Sequence, residues 1–336
     1  MARQLYTDAV KDRVIVFDGA FGTFVQGLDL GPDDFGGPSF EGCNELLCVT
    51  RPDVIRSMHS AFLDVGVDAI ETASFGSFST VLTEYGIPGR AYELSYASAA
   101  IAREVANDYE SDGRPRYVAG SIGPGTKLPS LGHTTYENLK IAYYTAAKGL
   151  SDSGCDALLV ETSQDLLQVK AAVNGCRQAI READRDIVLI AQVTVETTGT
   201  MLLGSEIGAA LNTLEPMGID LIGLNCATGP TEMSEHLRYL SKNSKVAISV
   251  MPNAGLPVLG ANGASYPLGP NELAIALEGF VDDYGISLVG GCCGTTPAHL
   301  AAVVEKVSGK AIAVRSPELD PGASSLYQYV PFRQDK

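Results

Sequence analysis

Leu288-Val289-Gly290-Gly291-Cys292-Cys293-Gly294-Thr295-Thr296-Pro297 is the stretch on which the reading of this chain turns. An apolar strand runs into two glycines and a vicinal cysteine pair. A helix then opens with Thr296 as N-cap and Pro297 in its first position. Neighbouring side chains of an extended strand point to opposite faces, so adjacent thiols reach one site only if the backbone turns there, as glycine allows. A second cysteine closes an apolar run upstream, Leu221-Ile222-Gly223-Leu224-Asn225-Cys226-Ala227. Three thiolates converging at strand ends make a catalytic zinc site with one position open. Read on their own, Cys226, Cys292 and Cys293 are either such ligands or packed free thiols. Asn225 is either a donor to a thiolate or a strand-end amide satisfying backbone.

Outward from these two runs, short apolar segments alternate with helical periodicity. Strands are expected over 14–19, 69–75, 117–123, 157–163, 187–195, 221–227, 246–253 and 287–294. Several are apolar almost throughout, as parallel strands covered on both faces require. Helices are expected over 52–65, 90–107 and 136–150, and others begin near Asp165, Ser205, Thr231, Pro270 and Thr296. Eight such units without a composition break predict one α/β domain, a single (β/α)₈ TIM barrel over residues 1–310. Residues 311–336 carry Pro317, Pro321 and Pro331 with no helical period, and read as an extended strap or linker. Three connections exceed the minimum, 26–45, 126–135 and 255–269, and all would lie on the C-terminal face of the barrel.

The chain has 336 residues, of which 45% are hydrophobic, and a formal charge of −16. Nucleic acids and anionic membranes call for a basic footprint, which this composition lacks. No run approaches the roughly 18 apolar residues of a membrane helix, and the first eight residues have no signal-peptide core. A cytoplasmic protein with reduced thiols is the expectation. Of the seven cysteines, Cys176 falls on a helical core stripe, Cys43 and Cys48 lack a metal spacing, and Cys155 has no evident role. His59, His133, His236 and His299 show no metal spacing either, and read as surface or capping residues.

Barrel chemistry sits at the C-terminal ends of the strands. Those ends carry Asp18, Glu71, the Gly120–Gly125 loop and Glu161 besides the cysteines. Asp18 can hold an ammonium group while the amides of Gly19 and Ala20 hold a carboxylate; otherwise it is a turn residue bonding its own backbone. Glu161 closes an apolar strand and there needs either a ligand or a salt-bridge partner. Glu71 repeats that argument more weakly. The glycine loop can cradle phosphate, although no P-loop lysine accompanies it.

Asp18-Gly19-Ala20, Gly42-Cys43-Asn44-Glu45-Leu46-Leu47, Glu71-Thr72, Val160-Glu161-Thr162, Gly223-Leu224-Asn225-Cys226-Ala227, Met251-Pro252-Asn253-Ala254-Gly255 and Gly290–Pro297 together resemble the homocysteine S-methyltransferase family. The resemblance spans about residues 14–308 and is nearest to the N-terminal homocysteine-binding modules of cobalamin-dependent methionine synthases. It implies a (β/α)₈ barrel with Zn²⁺ on Cys226, Cys292 and Cys293, homocysteine sulfur as fourth ligand, and Asp18 and Glu161 at the amino-acid end. Ala73-Ser74 stands where the family usually has Asn-Thr, and Gly199-Thr200-Met201-Leu202 where Gly-Arg-Thr-Leu is more familiar. The segment 325–334 is similar to the lead into a folate-binding module.

The activity so implied is methylation of a zinc-bound homocysteine thiolate to give methionine. No Asp-x-His-x-x-Gly cobalamin motif occurs, since Ser57, Leu131, Ser234 and Pro297 stand two before the four histidines. Methylcobalamin would therefore arrive on another domain or protein. Alternatives are a betaine or S-methylmethionine homocysteine methyltransferase, a phosphate-binding barrel lyase using the helix opening at Thr296, and a non-catalytic barrel with structural zinc.

Overall fold

The fold is seen in a computed structural model that describes residues 4–260 and 263–332. Eight strands form one parallel sheet: β1 Ile15–Val16, β2 Ala69–Glu71, β3 Tyr117–Ile122, β4 Ala157–Ser163, β5 Val188–Val193, β6 Leu221–Asn225, β7 Ala247–Met251 and β8 Leu288–Val289. Sequence neighbours pair from β2 through β8, β8 pairs with β1, and a parallel bridge from Phe17 to Ala69 joins β1 to β2. The sheet thereby closes on itself. An outer helix follows each strand: α1 Pro52–Asp64, α2 Ala91–Asp108, α3 Tyr136–Asp152, α4 Leu166–Glu182, α5 Ile207–Leu214, α6 Pro230–Asn243, α7 Pro270–Tyr284 and α8 Pro297–Val307, with the short helices Phe21–Gln26, Leu47–Thr50 and Ser79–Leu82 in the first two connections. The expected (β/α)₈ barrel is the fold.

The apolar runs are continuous because both faces are covered. Every residue of β3, β5 and β6 is buried. Alternate residues then divide between two cores. Tyr117, Ala119, Leu159, Ile190 and Leu288 fill the barrel, and Val118, Leu158, Val160 and Leu189 meet the helices. The helix Tyr6–Asp12 plugs the N-terminal end, with Tyr6 against Tyr117 at 4.8 Å between ring centres. At that end one device recurs on alternate strands. Asp68, Asp156 and Asp220 precede β2, β4 and β6, and each carboxylate accepts an N–H of the preceding strand, from Val16, Val118 and Leu189. A barrel edge otherwise short of acceptors is thus satisfied.

Several expectations change. β1 and β8 are two residues long rather than 14–19 and 287–294, because the backbone leaves the ladder to build the site. His59 is neither on the surface nor a cap. It is fully buried on α1 with neither ring nitrogen partnered among the described residues, and burial lowers its pKa to about 3, so the ring is neutral. The C-terminal segment is not merely extended: Gly322–Ser324 pairs antiparallel with Tyr329–Pro331. This hairpin lies against α5, where Asn212 donates to Ser324 Oγ at 2.8 Å and the Glu206 N–H to the Tyr327 carbonyl at 2.8 Å. The last four residues of that segment, and 261–262 in the β7–α7 connection, lie outside the described residues.

At Gly223, β6 leaves no room for a side chain against β7. A Cβ there would lie 2.0 Å from Ser249 Oγ and 2.3 Å from the Ser249 carbonyl oxygen. Gly223→Ala should therefore destabilise the chain by about 3 kcal/mol or more, since rigid backbone cannot relax around the added methyl. Gly279→Ala, on α7 with nothing within 4 Å, should stabilise it by about 0.5–1 kcal/mol. Urea denaturation of both variants checks the pair, and equal midpoints would contradict the packing described.

Candidate metal centre

Cys226 follows the last residue of β6, and Cys292 and Cys293 lie three and four residues beyond β8. The three sulfurs all lie within 4.8 Å of one another, with Cys226 and Cys293 at 3.8 Å. Neither run remains extended into the site, contrary to the strands expected through 227 and 294. Cys226 and Ala227 take left-handed conformations, φ +61° and +58°. That backbone is unusual for non-glycine residues and is held by the Cys226 N–H on the Met251 carbonyl. At the cysteine pair, the Cys292 N–H donates to the Pro252 carbonyl at 2.8 Å and the Cys293 N–H to Asn253 Oδ1 at 3.1 Å. Thr295 closes the turn, its hydroxyl donating to the Cys292 carbonyl at 2.6 Å. Gly291 is obligatory here, because a Cβ would meet the Thr295 side chain at 2.5 Å.

The three thiols share their protons unevenly. Mutual hydrogen bonding among them lowers the pKa of Cys293 and raises those of Cys226 and Cys292. Burial pushes the thiols of Cys43, Cys48, Cys155 and Cys176 up to about 12. Three sulfur donors this close suit a tetrahedral thiophilic ion such as Zn²⁺.

Beside the sulfurs stands a cluster of buried carboxylates. Glu161, at the end of β4, accepts from Ser121 Oγ at 2.5 Å and from Asn225 Nδ2 at 3.1 Å. Asn225 spans both parts of the site. Its Oδ1 accepts the Thr162 N–H at 2.7 Å, and its Nδ2 also reaches Cys292 Sγ at 3.9 Å. Glu71, at the end of β2, has its pKa raised by burial and then by its neighbour Glu161, and its Oε1 is buried without a partner among the described residues. Asp18 accepts the Glu71 N–H on both oxygens at 3.1 Å. Burial is the largest cause raising the pKa of all three; repulsion from Glu161 adds to it at Glu71 and Asp18.

These groups surround a cavity of about 710 Å³ whose wall includes Gly19, Ala20, Glu71, Glu161, Tyr266 and the three cysteines. Asp18 and Asn225 are not part of that wall, and among the described residues no lysine or arginine lines it. Ser121, Glu45 and Tyr266 are wall residues that sequence reasoning passed over, and Glu71 stands level with Glu161 rather than below it. Ser121 was concealed in the glycine loop, whose glycines serve packing: a Cβ at Gly120 would meet Leu150 at 2.9 Å and one at Gly123 would meet Phe75 at 2.6 Å. Ala73 and Met201, in the two segments that depart from the family pattern, are buried and do not line the cavity.

The model of the homocysteine S-methyltransferase family matches residues 15–307. This chain belongs to that family. It is 57% identical over 328 residues to a methionine synthase of Mycobacterium tuberculosis, a match covering 98% of this chain and 27% of the relative. A methionine synthase of Mycobacterium leprae is 54% identical over 332 residues, covering 97% and 27%. The chain thus spans about a quarter of the length of these curated relatives. The metallated form of the homocysteine methyltransferase MmuM from Escherichia coli superposes with a TM-score of 0.70 at 21% identity, covering 87% of this chain and 96% of that one. Its apo form gives 0.66 at 22%, covering 88% and 97%. At that identity the likeness bears on the fold, a (β/α)₈ barrel in this family.

Glu71 gives a pH test of the carboxylate cluster. Its raised value means that the folded chain keeps a proton the unfolded chain releases, so its contribution is most favourable at low pH and is lost as pH rises through the folded value. Glu71→Gln should match the unsubstituted chain near pH ~4 and exceed it near pH ~8 by about 1–3 kcal/mol, the usual cost of a buried unsatisfied group. Urea denaturation at the two pH values checks this, and a pH-independent gap would count against it.

Proposed function

We propose that this chain binds homocysteine and presents its thiol, as a zinc thiolate, for methylation to methionine. The observation that carries the reading is one cavity with two chemically distinct ends, three clustered thiols and a carboxylate cluster, and no basic residue on its wall among the described residues. A ligand suited to both ends brings a sulfur to one and an ammonium to the other. Family membership narrows that ligand to homocysteine. The same carboxylates repel phosphate, and the first turn of α8 is already capped by Thr296 and His299, which disfavours the barrel-lyase reading.

Cys226, Cys292 and Cys293 would hold Zn²⁺, which supplies the Lewis acidity that keeps a bound thiol deprotonated near neutral pH. Glu161 and Glu71 take the substrate ammonium, with Asp18 behind them adding charge. That counter-charge lets the carboxylates shed the proton their burial favours. The amides of Gly19 and Ala20 line the wall where the substrate carboxylate can lie, and the Ala20 N–H is engaged only by a long bond of 3.3 Å to Thr295 Oγ1. Asn225 fixes Glu161 relative to Cys292, and so sets the distance between the two ends of the ligand.

Methylcobalamin, carried by another domain or protein, is the proposed methyl donor, with a folate-binding module as a further partner. The named relatives are methionine synthases about four times the length of this chain. Exposed apolar side chains ring the mouth of the barrel, on the loops after β1, β2, β3, β5 and β7: Leu28, Phe75, Leu131, Leu202 and Leu259. Such a rim suits a docking domain. Residues 1–310 would form the homocysteine barrel and 311–336 the strap toward the next module. Among the described residues no helix is long and apolar enough to cross a membrane, and seven free cysteines suit the cytoplasm.

The purified chain should hold about one zinc ion. Cys226→Ala, Cys292→Ala or Cys293→Ala should lose most of it, and Cys43→Ala, Cys155→Ala and Cys176→Ala should keep it. Supplied with homocysteine and methylcobalamin it should form methionine above the uncatalysed background. Efficient turnover with betaine or S-methylmethionine alone would overturn the donor assignment.

Glu161→Ala should weaken homocysteine binding about 30-fold or more, because removing one partner of a buried charge pair costs about 2–5 kcal/mol. Calorimetry in buffers of different ionisation enthalpy should still detect the thiol proton released on saturation, with zinc content unchanged. Normal affinity in this variant would make the carboxylate structural.

A further inference from the structure

On the proposed reading, the carboxylate end of the cavity tells an amino-acid thiol from a plain one. How well it does so depends on how firmly that end is held. Glu161 is held on both oxygens. Ser121 Oγ donates to Oε1 at 2.5 Å, while Asn225 Nδ2 at 3.1 Å and Thr162 Oγ1 at 3.4 Å donate to Oε2. Asn225 and Thr162 are also bonded to each other, so the Oε2 side belongs to the scaffold that reaches Cys292. The Oε1 side is held from β3, by the shortest of these three bonds to the carboxylate.

Ser121 is itself set by a device of hydroxyls. The β2–β3 ladder ends at the pair Glu71 and Ala119, and side chains of the segment after β2 then take over from its backbone. The Ser121 N–H donates to Thr72 Oγ1 at 3.0 Å, Ser74 Oγ donates to the Ser121 carbonyl at 2.7 Å, and the two hydroxyls meet at 2.6 Å. The Ser74 hydrogen is committed to that carbonyl, so Thr72 must be the donor to Ser74, and the three bonds close into a ring. This ring fixes both backbone groups of Ser121 and leaves its own hydroxyl for Glu161. Thr72, Ser74 and Ser121 are all buried, and Thr72 and Ser121 lie on the cavity wall beside Glu71 and Glu161.

We infer that Ser121 is a specificity-determining positioning residue: its hydroxyl, aimed by the ring with Thr72 and Ser74, pins Glu161 in the orientation that receives a ligand ammonium, and so sets the preference for thiols that carry an amino group. A carboxylate already locked in place meets the ammonium without first giving up rotamer freedom. The hydroxyl acts on the carboxylate end alone, so its removal should leave the grip on a thiol as it was. The inference rests on the homocysteine reading above and adds to it the residue that makes the amino group count.

The test is calorimetric binding, to the zinc-loaded chain, of homocysteine and of 4-mercaptobutyrate, which lacks only the amino group. The unsubstituted chain should prefer homocysteine. Ser121→Ala removes one oxygen atom and leaves both backbone bonds of the ring in place. It should weaken homocysteine binding about three- to tenfold, the scale of one net hydrogen bond, and leave 4-mercaptobutyrate binding and zinc content unchanged. In a Glu161→Ala background the same substitution should have no further effect, because Ser121 acts through that carboxylate. Equal weakening of both ligands, an unchanged homocysteine affinity, or a loss that persists in the Glu161→Ala background would each overturn the role given to Ser121 while the homocysteine reading stands. An unsubstituted chain that binds the two thiols equally would bring down the ammonium site, and this inference with it.

Discussion

Negative charge buried without a protein cation is the constraint around which this barrel is organised. Asp18, Glu71 and Glu161 lie at the ends of β1, β2 and β4, beside three thiols at the ends of β6 and β8. Among the described residues no lysine or arginine lines the cavity beside them. Ion-sized charges in such a setting are costly unless paired. The chain alone manages the cost by keeping protons, as the raised carboxyl values show. Two positive charges from outside, a metal ion at the sulfurs and an ammonium at the carboxylates, would relieve both halves at once. Ligand binding and charge relief are then the same event, which suits a site that must be empty between turnovers.

The geometry needed for this comes from departures from regular structure at strand ends. β6 stops at Asn225 so that Cys226 can enter the left-handed region, and β8 stops at Val289 so that two glycines can turn a cysteine pair. Asn225 then joins what these departures separate, bonding to β4 through the Thr162 N–H and Glu161 and reaching toward Cys292. A side-chain amide suits that place because it both donates and accepts, where a carboxylate would add to the charge.

Much of this was legible in the sequence because its causes are local. Parallel strands covered on both faces must be apolar throughout, so the eight runs stood out. Glycines flanking a cysteine pair betray a turn wherever the chain happens to go. The parts that were not legible depend on closure of the barrel. Glu71 and Glu161 are 90 positions apart and meet only because β2, β3 and β4 are neighbours. Tyr266 is placed by the hairpin of Val258–Gly260 and Gly263–Ser265, whose roots are joined by the Leu268 N–H on the Ala254 carbonyl, and nothing in its own neighbourhood announces a place on the cavity wall. His59 lies beside Met58 on the buried face of α1, where a polar residue type argued for solvent and packing decided otherwise.

The short first and last strands carry a mechanical consequence. β1 and β8 contribute two paired residues each to the ladder, and the join from β1 to β2 is a single bridge. Backbone pairing is therefore sparsest along this seam, where a closed barrel would part first in a partial opening. The cysteine turn beyond β8 stands at the edge of the same seam, and Cys226 anchors from β6, two strands away. An ion held by all three sulfurs would tie β8, the strand on one flank of this seam, back to β6. Losing it would loosen the wall of the barrel as well as empty the site.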